Sequence, residues 1–176
     1  MATDMFIKID GIDGESADKN HGKWIDVITF AHGAEQSVSG NRNADVSGRG
    51  HFIPFSFIHS VDKATPKIQQ FCMSGQKIAK VEFAVCRAVA GAQVPVYEIT
   101  MENVKICKAN VVASDADGKE NGQDAATAFA GTESNYVPVE TVTLIPGKMT
   151  WKQTSIKPDN TKDGAVEASF NQVENA

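Results

Sequence analysis

Val81-Glu82-Phe83-Ala84-Val85-Cys86-Arg87 places Val81, Phe83 and Val85 two residues apart. That is the period at which a strand turns alternate side chains to one face of a sheet. Tyr97, Ile99 and Met101 repeat the pattern against Glu98, Thr100 and Glu102. Working outward, Met5–Ile9, Trp24–Ala31, His51–His59, Val104–Val112, Val137–Ile145 and Met149–Ile156 are further strand-like runs, with Gly, Pro, Asn and Asp clustered between them. Many short strands separated by turn residues predict a mainly β fold: an antiparallel β-barrel of two packed sheets.

One segment departs from the period of two. Thr65-Pro66-Lys67-Ile68-Gln69-Gln70-Phe71-Cys72-Met73-Ser74-Gly75 has a threonine suited to an N-cap, proline at the first helical position and glycine past the end. Ile68, Phe71 and Cys72 share a face, so the segment predicts one short helix flanking or plugging the barrel. Two stretches read as loops. Ser37–Gly50 is polar and rich in Gly and Asn, an extended inter-strand loop. Ala113–Asn135 is longer and acidic, with Phe129 its only large hydrophobe. Neither composition supports a packed core of its own.

The 176 residues suit a single domain over 1–176, with 41% hydrophobic and 22% charged residues. A formal net charge of -5 and the lack of a basic face argue against a nucleic-acid partner. The Lys105 and Lys108 region reads as the solvated side of a strand. The start of the chain has no cationic leader followed by an apolar run, and no stretch approaches the ~18 apolar residues of a membrane helix. The expectation is a chain made in a reducing cytosol, without a signal peptide or membrane insertion. Cys72, Cys86 and Cys107 are odd in number, widely spaced and flanked by apolar residues. They read as buried thiols of a reducing compartment.

Chemistry-bearing patterns are sparse. The spacings of His21, His32, His51 and His59 match no metal-ligand motif, and they read as surface or strand-edge histidines. A Cys–His nucleophile pair stays open, because such partners meet in space and not in sequence. Asp115–Glu120 opens like a calcium loop but has Lys119 and Glu120 where an oxygen ligand and a glycine belong; Asp10–Glu15 fails likewise and suits a turn. No phosphate-cradling glycine motif is present. Trp24, Trp151 and Tyr97 are candidates to stack a ligand, although aromatics on alternating strands more often fill a core. No cofactor, metal or catalytic residue is expected.

The wording of the chain carries a positive signal. Its first block runs from Met5 through Gly14-Glu15-Ser16 to His21 and Trp24-Ile25. The second is Phe57 to Lys67, containing Asp62-Lys63-Ala64-Thr65-Pro66. The third is Val139–Leu144 leading to Met149-Thr150-Trp151, and the tail Asp163–Asn171 suits a last strand. In this order the blocks closely resemble the haemolysin-coregulated protein family, the inner tube of type VI secretion systems. The resemblance implies a β-barrel with a flanking helix that is not an enzyme. It implies a homohexamer whose stacked rings form a tube, sheathed by contractile sheath proteins and tipped by a trimeric spike protein. Sheath contraction expels the tube, which can carry or chaperone small effector proteins. Gly14, Glu15, Ser16, His21, Asp62, Lys63, Pro66 and Trp151 are the structural residues that the resemblance marks.

It also places a ring-to-ring loop at Ser37–Gly50, where Gly40, Gly48 and Gly50 allow unusual backbone angles. Ser37, Ser39, Asn41, Arg42, Asn43, Asp45 and Arg49 supply its polar and charged groups. The acidic Ala113–Asn135 stretch is longer than is common in the family. Open alternatives are a stand-alone ligand-binding β-barrel with Trp24 or Trp151 in a pocket, a small hydrolase using Cys72 or Cys107, and an orphan secreted paralogue.

Overall fold

A computed structural model describes residues 3–36, 49–89, 92–112, 138–157 and 161–174. Among these are nine strands and one helix. The strands are β1 (Thr3–Ile9), β2 (Ile25–Asp26), β3 (Thr29–Glu35), β4 (His51–Ser60), β5 (Ile78–Val89), β6 (Ala92–Val112), β7 (Val139–Ile145), β8 (Lys148–Ile156) and β9 (Lys162–Asn171). The helix, α1 (Thr65–Ser74), lies between β4 and β5. Every strand pairing is antiparallel.

The architecture turns on one long strand. The sequence suggests separate runs at Tyr97–Met101 and Val104–Val112, but they are halves of the single strand β6. Asn103 sits between them at a φ of 56°, a left-handed angle that asparagine tolerates better than most residues. The first half pairs with β5 on one side and β8 on the other, and the second half pairs with β7. β7 and β8 therefore run end to end along β6, kinked where Gly147 N–H reaches the carbonyls of Glu102 and Asn103 at 3.0 and 3.2 Å. Beyond the kink, β4 and then β3 flank β7, while β9 flanks β8.

The other end of the ladder closes differently. The predicted run Trp24–Ala31 is broken into β2 and β3. At the break Val27 N–H bonds to Met5 O at 2.9 Å, while the next residue, Ile28, bonds to Ile58 O at 2.8 Å. One chain segment thus joins β1 to β4. The hydrogen-bonded path from β2 to β3 is open, with its ends tied together by this corner.

Between the sheets lies one apolar core containing Ile7, Phe55, Phe57, Phe83, Ile99, Met101, Leu144 and Met149, all nearly or wholly inaccessible. Ile68 and Phe71 of α1 join it, and Cys72 packs against it. Thr65 lies within the helix and is not its N-cap; Ala64 takes that place without a side-chain cap. The preceding turn is held instead by Asp62, whose Oδ1 accepts from Ala64 N–H at 2.9 Å. The helix ends as its glycine predicts. Gly75 is left-handed at φ 64°, and Gln76 N–H returns to Phe71 O at 3.2 Å. Lys105 and Lys108 are solvent-exposed, as their alternation suggests.

Candidate functional site

The motif residues other than Trp151 converge where residues 10–24 fold back over the outer face of β5. Gly14 is required there by space, since a Cβ on it would lie 2.3 Å from the Trp24 carbonyl oxygen. Gly14 N–H donates to Lys23 O at 2.8 Å, Ser16 N–H to Trp24 O at 2.9 Å, and Lys23 N–H to Ser16 O at 3.1 Å. Ser16 is buried, and Glu15 reaches outward to accept from Lys63 N–H at 3.2 Å, just before α1. Gly14-Glu15-Ser16 and Asp62-Lys63 are therefore one junction linking this segment to the helix start. Pro66 occupies the first turn of α1 and is exposed.

Under the same segment, β5 is buried on both faces, which its alternation does not predict. Phe6, Ala84 and Cys86 form a second small cluster, with Trp24 packed on it. His21 stacks on Phe6, centroids 4.4 Å apart, and meets the edge of Trp24 at 4.8 Å. Its Nδ1 lies 2.9 Å from Asp18 Oδ1 and its Nε2 3.9 Å from Cys86 Sγ. Burial acts to raise the Asp18 carboxyl, but hydrogen bonds from the His21 ring and from the Asn20 and His21 amides outweigh it and hold it below the usual range.

Carboxylate, imidazole and thiol in this order resemble the line-up of a cysteine nucleophile. The environment opposes that chemistry. Cys86 is 0% exposed. Burial first, and then the charges of Asp18, Asp4 and Glu98, push its thiol up to about 11. The nucleophile is the thiolate, and here the thiol is held protonated and away from solvent. In this arrangement the trio pins residues 18–21 to β5. Sequence reasoning missed Asp18 and Cys86 as partners of His21. The i, i+3 spacing of Asp18 and His21 was the available signal for one of them; 65 residues of separation hid the other.

Of the other histidines, read as surface or strand-edge, His51 is exposed and 2.6 Å from Glu35, His32 is half-buried on the outermost strand β3, and His59 departs from the reading. His59 is 0% exposed and its Nε2 lies 3.0 Å from Glu140 Oε2, itself 0% exposed. Gln69 of α1 reaches the other Glu140 oxygen at 3.5 Å, while Asp62 stands 3.8 Å from His59 Nδ1. His32 faces inward, its Nε2 3.0 Å from the Tyr97 hydroxyl. Burial lowers His32 and raises Tyr97, keeping both neutral. Among the described residues no three His, Cys, Asp or Glu side chains are grouped to hold a metal ion.

The cysteines are also unlike one another. Cys86 is buried and Cys72 half-buried, but Cys107 is exposed beside a bulge in β6, its thiol donating to Thr143 O at 3.4 Å. The shared expectation of buried thiols fails at Cys107 because its strand position points outward. Trp151 is half-buried on β8, with its edge or face near-perpendicular to Phe52.

Of the predicted ring-to-ring loop, Ser37 to Gly48 lie outside the described residues; Arg49 and Gly50 lead into β4. The acidic Ala113–Asn135 stretch, with the calcium-like Asp115–Glu120, also lies outside them.

Among the described residues β9 presents an unpaired edge. β8 pairs with it on one side only, and residues 162–169 are exposed on both faces of the strand. Val166 is 73% exposed.

Comparison with known proteins converges on one group. Residues 6–153 match the family described as type VI secretion system effector, Hcp. The chain is 32% identical over 144 residues to protein Hcp1 of Pseudomonas aeruginosa strain PAO1, covering 78% of this chain and 85% of that one. A solved structure of a type six secretion system protein superposes with a TM-score of 0.82 at 22% identity, covering 99% of each chain. A type VI secretion system effector from Yersinia pestis gives a TM-score of 0.69 at 26% identity, covering 96% of this chain and 99% of that one.

Proposed function

The chain belongs to the Hcp family of type VI secretion proteins, and from that premise we propose how this tube subunit assembles and moves. Hcp proteins are structural tube proteins secreted by the type VI system. In this reading the whole chain, 1–176, is one tube-subunit domain. Six copies close into a ring, and rings stack into the tube. Sheath proteins surround it, a trimeric spike tips it, and small effectors ride in its lumen. The subunit is made in the cytoplasm and leaves without a signal peptide, as part of the projectile. No side chain is assigned a catalytic role.

The observation that carries the ring is the edge strand β9, paired on one side only by β8. Strand β9 sits outside β8 with residues 162–169 in water on both faces, and an open strand edge invites pairing with another chain. Gly164, Ala165, Ala168 and Ser169 are small enough for a neighbouring subunit to approach closely. A heterologous contact of this kind makes a ring when its rotation closes. Each contact would need to bury roughly 1,000 Å² or more.

The test places charge on one face of the strand. Val166 and Ala168 are both exposed, so circular dichroism of Val166→Asp with Ala168→Asp should match the parent. Native mass spectrometry should show the parent as six copies and the variant as monomers. A variant that still forms six copies would remove β9 from the ring contact.

The Ser37–Gly50 loop, with Asn41, Arg42, Asn43, Asp45 and Arg49, is proposed as the stacking contact. Polar contacts are weak singly, on the order of 1 kcal/mol each, but six loops act together.

A further inference from the structure

Between β3, β4, β8 and β9 lies a cavity of about 320 Å³. This is near the lower end of small-molecule sites, which start at about 300 Å³. Its described lining is Ala34, Glu35, Gln36, Gly50, His51, Phe52, Trp151 and Phe170. Three of these are aromatic. Phe52 meets Trp151 at 72° and Phe170 at 87°, with centroids 5.9 Å apart in both pairs. Phe52 is buried, its N–H held by Gln172 Oε1 at 3.1 Å, while Trp151 and Phe170 are half-buried. Trp151 and Phe170 are half-buried and line the cavity, so part of each ring stays accessible there. Among the described lining residues Glu35 is the only carboxylate, and none is Lys or Arg.

Crossed aromatic walls with one carboxylate at the rim suit a compact organic cation. Ring faces attract it through their quadrupoles, and the carboxylate supplies the countercharge. A neutral apolar ligand of the same shape would gain nothing from Glu35. We infer that this cavity binds a small alkylammonium group, with Trp151 and its aromatic neighbours as walls and Glu35 as the countercharge. The inference does not depend on the ring. His51, 2.6 Å from Glu35, is the other titratable group in the lining and competes for that carboxylate.

Choline serves as the probe, with the neutral isostere in which carbon replaces its nitrogen as the control. Trp24→Phe leaves Trp151 as the remaining tryptophan reporter; in the unsubstituted protein, the Trp151 indole N–H resonance gives the same reading without any change to the fold. Choline should shift the Trp151 signal saturably, with half-saturation at about 1–10 mM. Glu35→Gln should weaken choline about five-fold or more and leave the response to the isostere unchanged. Phosphatidylcholine vesicles identify the source: cosedimentation competed by choline assigns a lipid headgroup, and choline binding without cosedimentation assigns a free cation. No saturable shift up to about 100 mM choline, or equal binding of choline and its isostere, would overturn the assignment.

Discussion

At the scale of single residues, the His59–Glu140 pair is the most consequential buried feature. Both side chains are 0% exposed, and they join β4 to β7 while Gln69 ties in α1. Taking one partner away leaves the other buried without its mate, which typically costs ~3–5 kcal/mol; replacing both with apolar side chains is often close to neutral. Glu140→Leu and His59→Leu should each lower the urea midpoint sharply, and the double replacement should lower it less than either alone. Additive losses would mean that the two groups are not coupled. The thiols give a second residue-scale expectation. A reagent added to the native protein should modify exposed Cys107 first and half-buried Cys72 more slowly, sparing Cys86 until unfolding. Rapid modification of Cys86 in folded protein would reopen the nucleophile reading of the Asp18–His21–Cys86 line.

At the scale of elements, the strands were legible wherever one face is buried and the other wet. Val81 and Phe83 fall inside as their alternation predicts, and Lys105 and Lys108 fall outside. Legibility ended where a strand serves two partners or two faces. The bend at Asn103 fuses two expected strands, because continuity of β6 is set by its neighbours β5, β7 and β8. The corner at Val27 and Ile28 divides one expected strand, because consecutive amides bond to different sheets. The cover over Ala84 and Cys86 was hidden because it is supplied by residues 10–24. The Gly14 motif was legible as a resemblance, but its physical reason, the carbonyl of Trp24 against a missing Cβ, needs the fold. The Ser37–Gly50 loop makes its own prediction. Cutting it to Gly-Asn between Val38 and His51 should preserve hexamers and abolish tube formation and secretion, read by electron microscopy and by assaying culture supernatant. Polymerisation equal to the parent's would reduce the loop to a simple connection.

At the scale of the whole molecule, family membership was legible because its blocks run in order through most of the chain, from the Gly14 motif to Trp151. Assembly is less legible in a lone sequence, since the surfaces that close a ring need not be markedly more apolar than the rest. Strand β9 illustrates this: its alanines, glycine and serine look unremarkable until residues 162–169 prove exposed on both faces. Under the proposed assembly, a ring closed on that edge comes before stacking into a tube. The most direct measurement is therefore the native mass of the unmodified protein in dilute solution. Six copies at micromolar concentration is the predicted result, and a chain that stays monomeric there would contradict the ring.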